Sequence, residues 1–266
     1  MEITKYVIDY GTHNDDAQIL IVPFGDFHVG NKNANKSKLE SYAKWIADTE
    51  NIYWYGMGDY SDAIIHSDEK RYDFDSLDPK LPTPDEQYFY NQSLLEPIKD
   101  RCFGLMLGNH DLELQRRHAH RYVANQLCPA LNVPFLGYNC FILLKLTRKG
   151  KNGQRIVICA THGSTNARTP GGKINNLMNW AKGFDADIYT YAHTHDKYVH
   201  EQTYYELSTN LTMVQRKKVF ALTGGFLEGY QEGTLSYVER KNLEPLKTGV
   251  VKITVFPETK KIRAQA

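Results

Sequence analysis

Long apolar runs are missing from this sequence. No stretch free of charged residues reaches the length of a membrane-spanning helix, so we expect no membrane span. The start, MEITKYVIDYGTHNDD, has neither the basic segment nor the apolar core of a signal peptide, which predicts a cytoplasmic protein. A formal net charge of +1 argues against a protein whose entire surface binds nucleic acid, but it does not exclude a local basic groove.

Cysteine is scarce and scattered. The sequence has four cysteines and no C-x-x-C pair: Cys102, Cys128, Cys140 and Cys159. Since no secretory signal precedes them, we expect reduced, buried thiols, neither disulfides nor a thiolate zinc site.

Five short apolar segments, each ending in a polar cluster, predict buried strands. They span residues 18–30, 52–63, 101–113, 155–165 and 187–196. Apolar residues at helical spacing predict helices at 35–51 (with Ser37 as its N-cap), 112–127 and 172–184. Further strands follow residue 203, one of them at 233–241.

This alternation predicts an α/β fold. Neither an internal repeat nor a linker interrupts the sequence, so we expect one domain over residues 1–266. The polar, proline-containing segment 66–87 has the composition of an insertion at the rim of a site. In open α/β sheets, ligands bind beyond the ends of the strands, so we expect the polar clusters there to form the functional site.

The residues of these clusters share a chemistry suited to metal ions. They are Asp26, His28, Asp59, Asp62, Asn109, His110, Asp111, His162, His193 and His195. Carboxylate, imidazole and carboxamide groups together suit Mn²⁺, Fe and Zn²⁺. In extended chain, residues two apart point to the same side, so His193 and His195 are expected to face one object. So many donors exceed the needs of one ion, whereas two ions sharing a carboxylate use about this number and serve phosphoryl transfer.

Five ordered motifs in residues 26–195 resemble those of the calcineurin-like metallophosphoesterases. They are D-x-H in GDFHV, G-D-x-x-D in GDYSD, G-N-H-D, a later H-G in THGS, and H-x-H in AHTHD. The resemblance implies a β-sandwich of two mixed sheets flanked by helices, with a di-metal site at the C-terminal ends of the strands. It also implies two divalent ions per chain, with Mn²⁺ favoured over Fe or Zn²⁺, and the hydrolysis of phosphate esters.

The resemblance implies a role for each matching residue. Asp59 bridges the two metals, His110 protonates or stabilises the leaving oxygen, and Asp62 supports His110. The first metal is bound by Asp26, His28 and His195. The second metal is bound by Asn109, His162 and His193.

One departure from the family bears on the substrate. The branch of protein Ser/Thr phosphatases has Arg after its second Asp, whereas this chain has Ala63. The resemblance therefore favours a phosphodiesterase or nuclease acting on nucleic acid or nucleotides. The alternatives are a small-molecule phosphomonoesterase, a nucleoside polyphosphate hydrolase, and a non-catalytic scaffold. The scaffold is disfavoured because every ligand position is filled.

Three weaker signals lie around these motifs. The basic run QRRHAHR at 115–121 is either a nucleic-acid contact or the solvated face of a helix, and on a helix His118 and His120 diverge by about 200°, too far for one metal. Arg168 follows His162 closely enough to reach a bound phosphate, or it belongs to a helix start. Aromatic residues either stack on bases at the rim or pack in the core: Tyr60, Tyr72, Phe74, Tyr88, Phe89 and Tyr90.

Overall fold

The computed structural model describes residues 1–11, 17–68, 72–151, 153–233 and 235–266. The strands are β1 (Glu2–Asp9), β2 (Ile19–Phe24), β3 (Ile52–Gly56), β4 (Cys102–Leu105), β5 (Asn139–Thr147), β6 (Arg155–Thr161), β7 (Ile188–Tyr191), β8 (Lys197–Leu207), β9 (Met213–Gly225), β10 (Gly249–Val250), β11 (Lys252–Phe256) and β12 (Lys261–Gln265). The helices are α1 (Lys36–Asp48), α2 (Pro84–Leu95), α3 (Asn109–His118), α4 (Cys128–Leu131), α5 (Pro170–Ala181) and α6 (Tyr237–Arg240).

The strands form two mixed sheets, as expected. The smaller has the order β12-β11-β2-β3-β4, and the larger has the order β1-β5-β6-β7-β9-β10 with β8 paired to β9. β2, β3 and β4 run parallel, and so do β6, β7 and β9. Because parallel strands end at the same edge, this topology brings the five predicted polar clusters towards one end of the molecule.

Apolar side chains on both faces of the small sheet are buried. Along β2, Ile19 and Ile21 belong to the core that includes Ile158 of the larger sheet. Val22 and Phe24, at alternate positions, belong to the core beneath the helices. A strand covered on both sides is apolar at nearly every position, which explains the unbroken run in this segment.

Helices cover the outer faces of both sheets. Buried residues of α1 and α2 pack with those of β2 and β3, whereas α5 packs on the larger sheet. The predicted cap of α1 was wrong: Asn35, not Ser37, is the N-cap, and its Oδ1 accepts the amide of Lys38 at 3.0 Å. The four cysteines are buried and free, as expected.

Two secondary-structure predictions were wrong. The helix predicted over 112–127 is interrupted after His118, because Ala119 adopts a left-handed φ of 58°, and the chain becomes helical again in a short π-helix over Val123–Leu127. His118 and His120 therefore do not share a helix, and the groups of described residues able to hold a metal do not include them. The strand predicted over 233–241 contains instead the short helix α6.

The segment 66–87 has no single structure. Residues 69–71 lie outside the described residues, and residues 84–87 form the first turn of α2. Between them the chain crosses the loop after β2, where the amide of Asp78 donates to the Gly30 carbonyl at 2.8 Å and that of Lys32 to Ser76 at 2.9 Å. Nowhere in the described ranges does a helix combine the length and hydrophobicity that a membrane span requires.

Candidate metal centre

The polar clusters lie beyond the ends of five strands. They follow β2, β3, β4, β6 and β7 in that order: Asp26 and His28; Asp59 and Asp62; Asn109 and His110; His162; His193 and His195. Three groups of these side chains have ligand atoms within 4.8 Å of one another: Asp26, His28 and His195; His28, Asp59 and His110; and Asp59, His162 and His193. Chain segments far apart in sequence thus converge on one centre.

The first subsite consists of Asp26, His28 and His195. The Nε2 atoms of His28 and His195 are 3.1 Å apart. Nε2 of His195 is 3.5 Å from Oδ1 of Asp26. Two imidazoles and a carboxylate are a donor set suited to a divalent transition ion.

The second subsite consists of Asn109, His162 and His193. Oδ1 of Asn109 lies 2.7 Å from Nδ1 of His193 and 3.0 Å from Nε2 of His162. Turning the Asn109 amide would instead direct its NH₂ group at both rings. With a cation at this point, the carbonyl oxygen is the atom that must face inwards, as it does here.

Asp59 lies between the two subsites. Its Oδ2 is 3.3 Å from Nε2 of His162 and 3.8 Å from Nε2 of His28. Its Oδ1 accepts the backbone amide of His110 at 2.8 Å, which fixes the carboxylate and leaves Oδ2 directed at both subsites. A carboxylate directed at two donor sets has the geometry needed to be shared by two ions.

Hydrogen bonds orient two of the histidines for metal binding. Nδ1–H of His162 donates to the carbonyl of Met57 at 2.8 Å, and Nδ1–H of His28 donates to Oδ1 of Asp62 at 3.1 Å. Each bond places the proton on Nδ1 and leaves the lone pair of Nε2 for a ligand.

Burial and mutual charge perturb the metal-free centre. Burial lowers the pKa of His28, but the hydrogen bond to Asp62 and the nearby carboxylates outweigh it and raise the pKa to about 9. Burial also lowers the pKa of His162, but the charge of Asp59 outweighs this effect and raises the pKa to about 9. For His193, burial and the charge of His162 lower the pKa to about 4. Groups shifted this far in opposite directions are typical of functional sites.

Five of the ligand residues adopt left-handed backbone conformations. Their φ values lie between 50° and 63°: Asp26, His28, Asp59, His193 and His195. The extended geometry expected for the H-x-H pair was therefore wrong, since β7 ends at Tyr191 and the pair lies in a turn that sends the two rings to different subsites. Each left-handed non-glycine residue is strained by about 1–3 kcal/mol, and such strain concentrates at functional sites.

A buried carboxylate that sequence reasoning left without a role supports Asp59. Oδ2 of Asp111 accepts the amides of Asp59 and Gly108, each at 2.8 Å, and Oδ1 accepts the hydroxyl of Tyr88. A Cβ on Gly108 would lie 2.0 Å from Oδ1 of Asp59, so only glycine fits there. The sequence signal was the Asp that directly follows the G-N-H motif.

His110 stands beside the first subsite. Its ring is nearly perpendicular to that of His28, with centroids 4.7 Å apart. Its Nδ1–H donates to the backbone carbonyl of Asp62 at 2.6 Å, while the Asp62 carboxylate lies 3.6 Å away. That carboxylate is hydrogen-bonded to His28 and Asn31, so Asp62 supports His110 through its backbone, a difference from the expected side-chain contact.

The donors fit divalent ions. Oδ1 of Asp26 is buried and lacks a hydrogen-bond partner among the described residues, an unfavourable state that a cation relieves. All converging donors are carboxylate, carboxamide or imidazole atoms, and thiolate is absent from them. One ion would be held by Asp26, His28 and His195 and the other by Asn109, His162 and His193, with Asp59 shared.

The residues predicted to contact substrate differ in exposure. Arg168 is exposed on the loop between β6 and α5, and no hydrogen bond or ion pair joins it to the described residues. Tyr60 and Tyr88 are fully buried in the core, which excludes base stacking by either ring. Among the rim aromatics, Phe74 is 75% exposed and Phe89 is 59% exposed.

Comparison with known proteins yields similar structures only. No protein-family profile matches the chain, and no curated protein matches it. A metallophosphoesterase from Sphaerobacter thermophilus is 13% identical, over 93% of this chain and 87% of that one, with a TM-score of 0.41. A Vps29 single mutant from Entamoeba histolytica is 12% identical over 93% and 97%, with a TM-score of 0.42. A predicted phosphoesterase from Streptococcus pneumoniae is 14% identical over 90% and 84%, with a TM-score of 0.36. At such identities and TM-scores, function has to be inferred from the centre's own residues.

Proposed function

We propose that this chain is a di-metal-dependent phosphoesterase. The observation that carries the proposal is the position of Asp59, whose Oδ2 lies 3.3 Å from Nε2 of His162 and 3.8 Å from Nε2 of His28. One carboxylate oxygen thereby faces two separate sets of nitrogen and oxygen donors. Paired ions sharing a carboxylate are the arrangement used for in-line displacement at phosphorus.

The two ions and His110 have separate roles in the proposed reaction. When bound, the two ions supply Lewis acids for the phosphoryl oxygens and acidify the attacking water. His110 protonates the departing oxygen from Nε2, because its Nδ1–H is held by the Asp62 carbonyl.

A phosphodiester in nucleic acid or a nucleotide is the proposed substrate class. Ala63 is buried and carries no cation, where a protein Ser/Thr phosphatase has an arginine for the phosphate. Arg168 stays a proposed phosphate contact, because its exposed side chain forms no hydrogen bond or ion pair with the described residues. A monoester carries more negative charge than a diester, so the lack of a cation at position 63 favours the diester.

The alternatives predict different substrate profiles. A phosphomonoesterase or a nucleoside polyphosphate hydrolase would use the same centre on a terminal phosphate. A non-catalytic scaffold would not need the strained backbone at five ligand residues or the hydrogen bonds that orient His28 and His162. Those features support an enzyme over the scaffold.

A substrate panel on the Mn²⁺-loaded protein tests the proposal. It compares bis(p-nitrophenyl) phosphate, p-nitrophenyl phosphate, a nucleoside triphosphate, and single- and double-stranded DNA and RNA. The proposal expects higher kcat/KM on the diester than on the monoester, and cleavage of at least one nucleic acid. Turnover confined to the monoester or the triphosphate supports the corresponding alternative, and turnover of none supports the scaffold.

A further inference from the structure

A cavity of about 310 Å³ lies between the start of α1 and residues 228–230 and 245–248. Its volume falls in the range of sites that hold small molecules or parts of larger ones. Lys38 and Lys247 contribute to its wall, together with Tyr230 and Thr248. None of these residues belongs to the metal centre or to the motifs around it.

The lysines around this cavity lack acidic partners. Nζ of Lys38 donates to Oγ1 of Thr248 at 2.9 Å, and Lys247 is exposed. In the described parts of the chain, neither Lys38 nor Lys247 forms an ion pair. Lys197 lies nearby, with its Nζ 3.5 Å from the position that a Cβ on Gly249 would take. Cations that form no ion pair attract anions.

Glu228 is the carboxylate among the described residues of the wall. It accepts the side-chain amides of Asn35 and Gln231, one on each oxygen. Its charge remains, but it forms no ion pair with Lys38 or Lys247, so both ammonium groups are available for an anion. Tyr230 is 48% exposed, and its hydroxyl donates to the carbonyl of Leu243 at 2.9 Å. That bond holds the ring at the cavity wall, where an aromatic face can stack on a base.

The cavity lies beside the metal centre. A Cβ on Gly225 would be 2.9 Å from Cβ of Asp26 and 3.2 Å from Cγ of His195, so the end of β9 contacts both ligands. Gly249 of β10 pairs with Gly225, and a Cβ on Gly249 would be 3.5 Å from Nζ of Lys197. With strands about 5 Å apart, Thr248, which precedes Gly249 and accepts the hydrogen bond of Lys38, lies on the order of 10 Å from the ligands.

We infer that this cavity is a nucleotide subsite: Lys38 and Lys247 bind a non-scissile phosphate of the substrate while Tyr230 stacks on its base. The inference rests on the proposed function, which it deepens by naming a strand of nucleic acid as the substrate. A single strand extends past the scissile bond and places further phosphates within reach of the cluster, whereas a small diester does not.

The test measures binding without hydrolysis. Fluorescence anisotropy follows labelled hexathymidylate on the metal-free protein in EDTA, from about 50 to 200 mM salt, with unlabelled thymidine triphosphate and tripolyphosphate as competitors. The variants are Lys38→Gln/Lys247→Gln and Tyr230→Ala. Lys44→Gln is the matched control, since Lys44 also lies on α1 but pairs with Asp48 and is 77% exposed. Thermal unfolding checks that each variant folds.

The double variant should bind hexathymidylate roughly tenfold more weakly, with a salt slope smaller by about 1–1.5, while Lys44→Gln binds as the unmodified protein does. Tyr230→Ala should weaken hexathymidylate more than it weakens tripolyphosphate. If the double variant and the control bind hexathymidylate with equal affinity and equal salt slope, the cavity is not a subsite. Tripolyphosphate binding as tightly as hexathymidylate, with no effect of Tyr230→Ala, overturns the nucleotide assignment. If the Mn²⁺ protein cleaves no ester, the proposed function fails, and these binding measurements still decide the subsite.

Discussion

The backbone amide of His110 donates to Oδ1 of Asp59 at 2.8 Å, and this bond joins the residue proposed as proton donor to the carboxylate proposed as metal bridge. It turns Oδ2 of Asp59 towards His28 and His162 and at the same time fixes the first turn of α3. Any change to the bridge is therefore expected to disturb the position of His110 as well.

Replacing Asp59 tests the bridge. Asp59→Asn keeps the shape of the side chain but removes the charge that offsets the repulsion between two cations. We expect metal affinity to fall by at least about 10–100-fold, with a corresponding loss of rate. Elemental analysis and kcat on bis(p-nitrophenyl) phosphate measure both effects. Asp48→Asn, on the exposed side of α1, is the control. Two tightly bound ions and near-normal turnover in Asp59→Asn would place the bridge elsewhere.

Replacing His110 separates proton donation from metal binding. His110→Asn should retain both ions and lose about 10²–10⁴-fold in kcat/KM on an alkyl or nucleotide ester, whose leaving oxygen needs a proton. The loss on a p-nitrophenyl ester should be much smaller, because p-nitrophenolate leaves readily as an anion. Equal losses on both esters, or loss of metal, would show that His110 is not the acid.

Asp111 is expected to stabilise the fold beneath the centre. Asp111→Ala leaves the buried amides of Asp59 and Gly108 without an acceptor, so the free energy of unfolding should fall by about 2–5 kcal/mol. Urea unfolding of the metal-free protein measures the loss. Asp75→Ala, at a surface position, is the control and should change the value by less than about 0.5 kcal/mol. Similar stability of the two variants contradicts the role of Asp111.

Metal binding should release protons at neutral pH. In the metal-free protein the pKa values of His28 and His162 are raised to about 9, so both rings carry a second proton at pH 7 that a cation must displace. Apparent metal affinity should thus increase as pH rises towards 9, with a slope of up to about two decades per pH unit. Calorimetry of Mn²⁺ binding in buffers of different ionisation enthalpy counts the protons. An affinity independent of pH between 6 and 9 contradicts this picture.

Local patterns explain what could be predicted from sequence. The strands β2, β3, β4, β6 and β7 were predicted because their burial on both faces leaves continuous apolar runs. Their polar ends converge because parallel strands share an edge. The order of the motifs along the chain was therefore enough to predict that the metal-binding groups lie together.

Features set by tertiary contacts could not be predicted. The left-handed turns at His193 and His195 depend on packing around the centre, and short-range rules favoured an extended chain. The break at Ala119 likewise follows no glycine or proline in the sequence. Lys38, Lys197 and Lys247 come from elements far apart along the chain, so no window of sequence reveals their convergence.

The number of metal ions needed for activity tests the central claim most directly. Protein stripped of metal, with the loss verified by elemental analysis, is titrated with Mn²⁺ while hydrolysis of bis(p-nitrophenyl) phosphate is followed. We predict no turnover in the stripped protein and activity that rises until two equivalents are bound, since Asp59 faces two donor sets. Full turnover without metal, or saturation at one equivalent, would contradict the di-metal account.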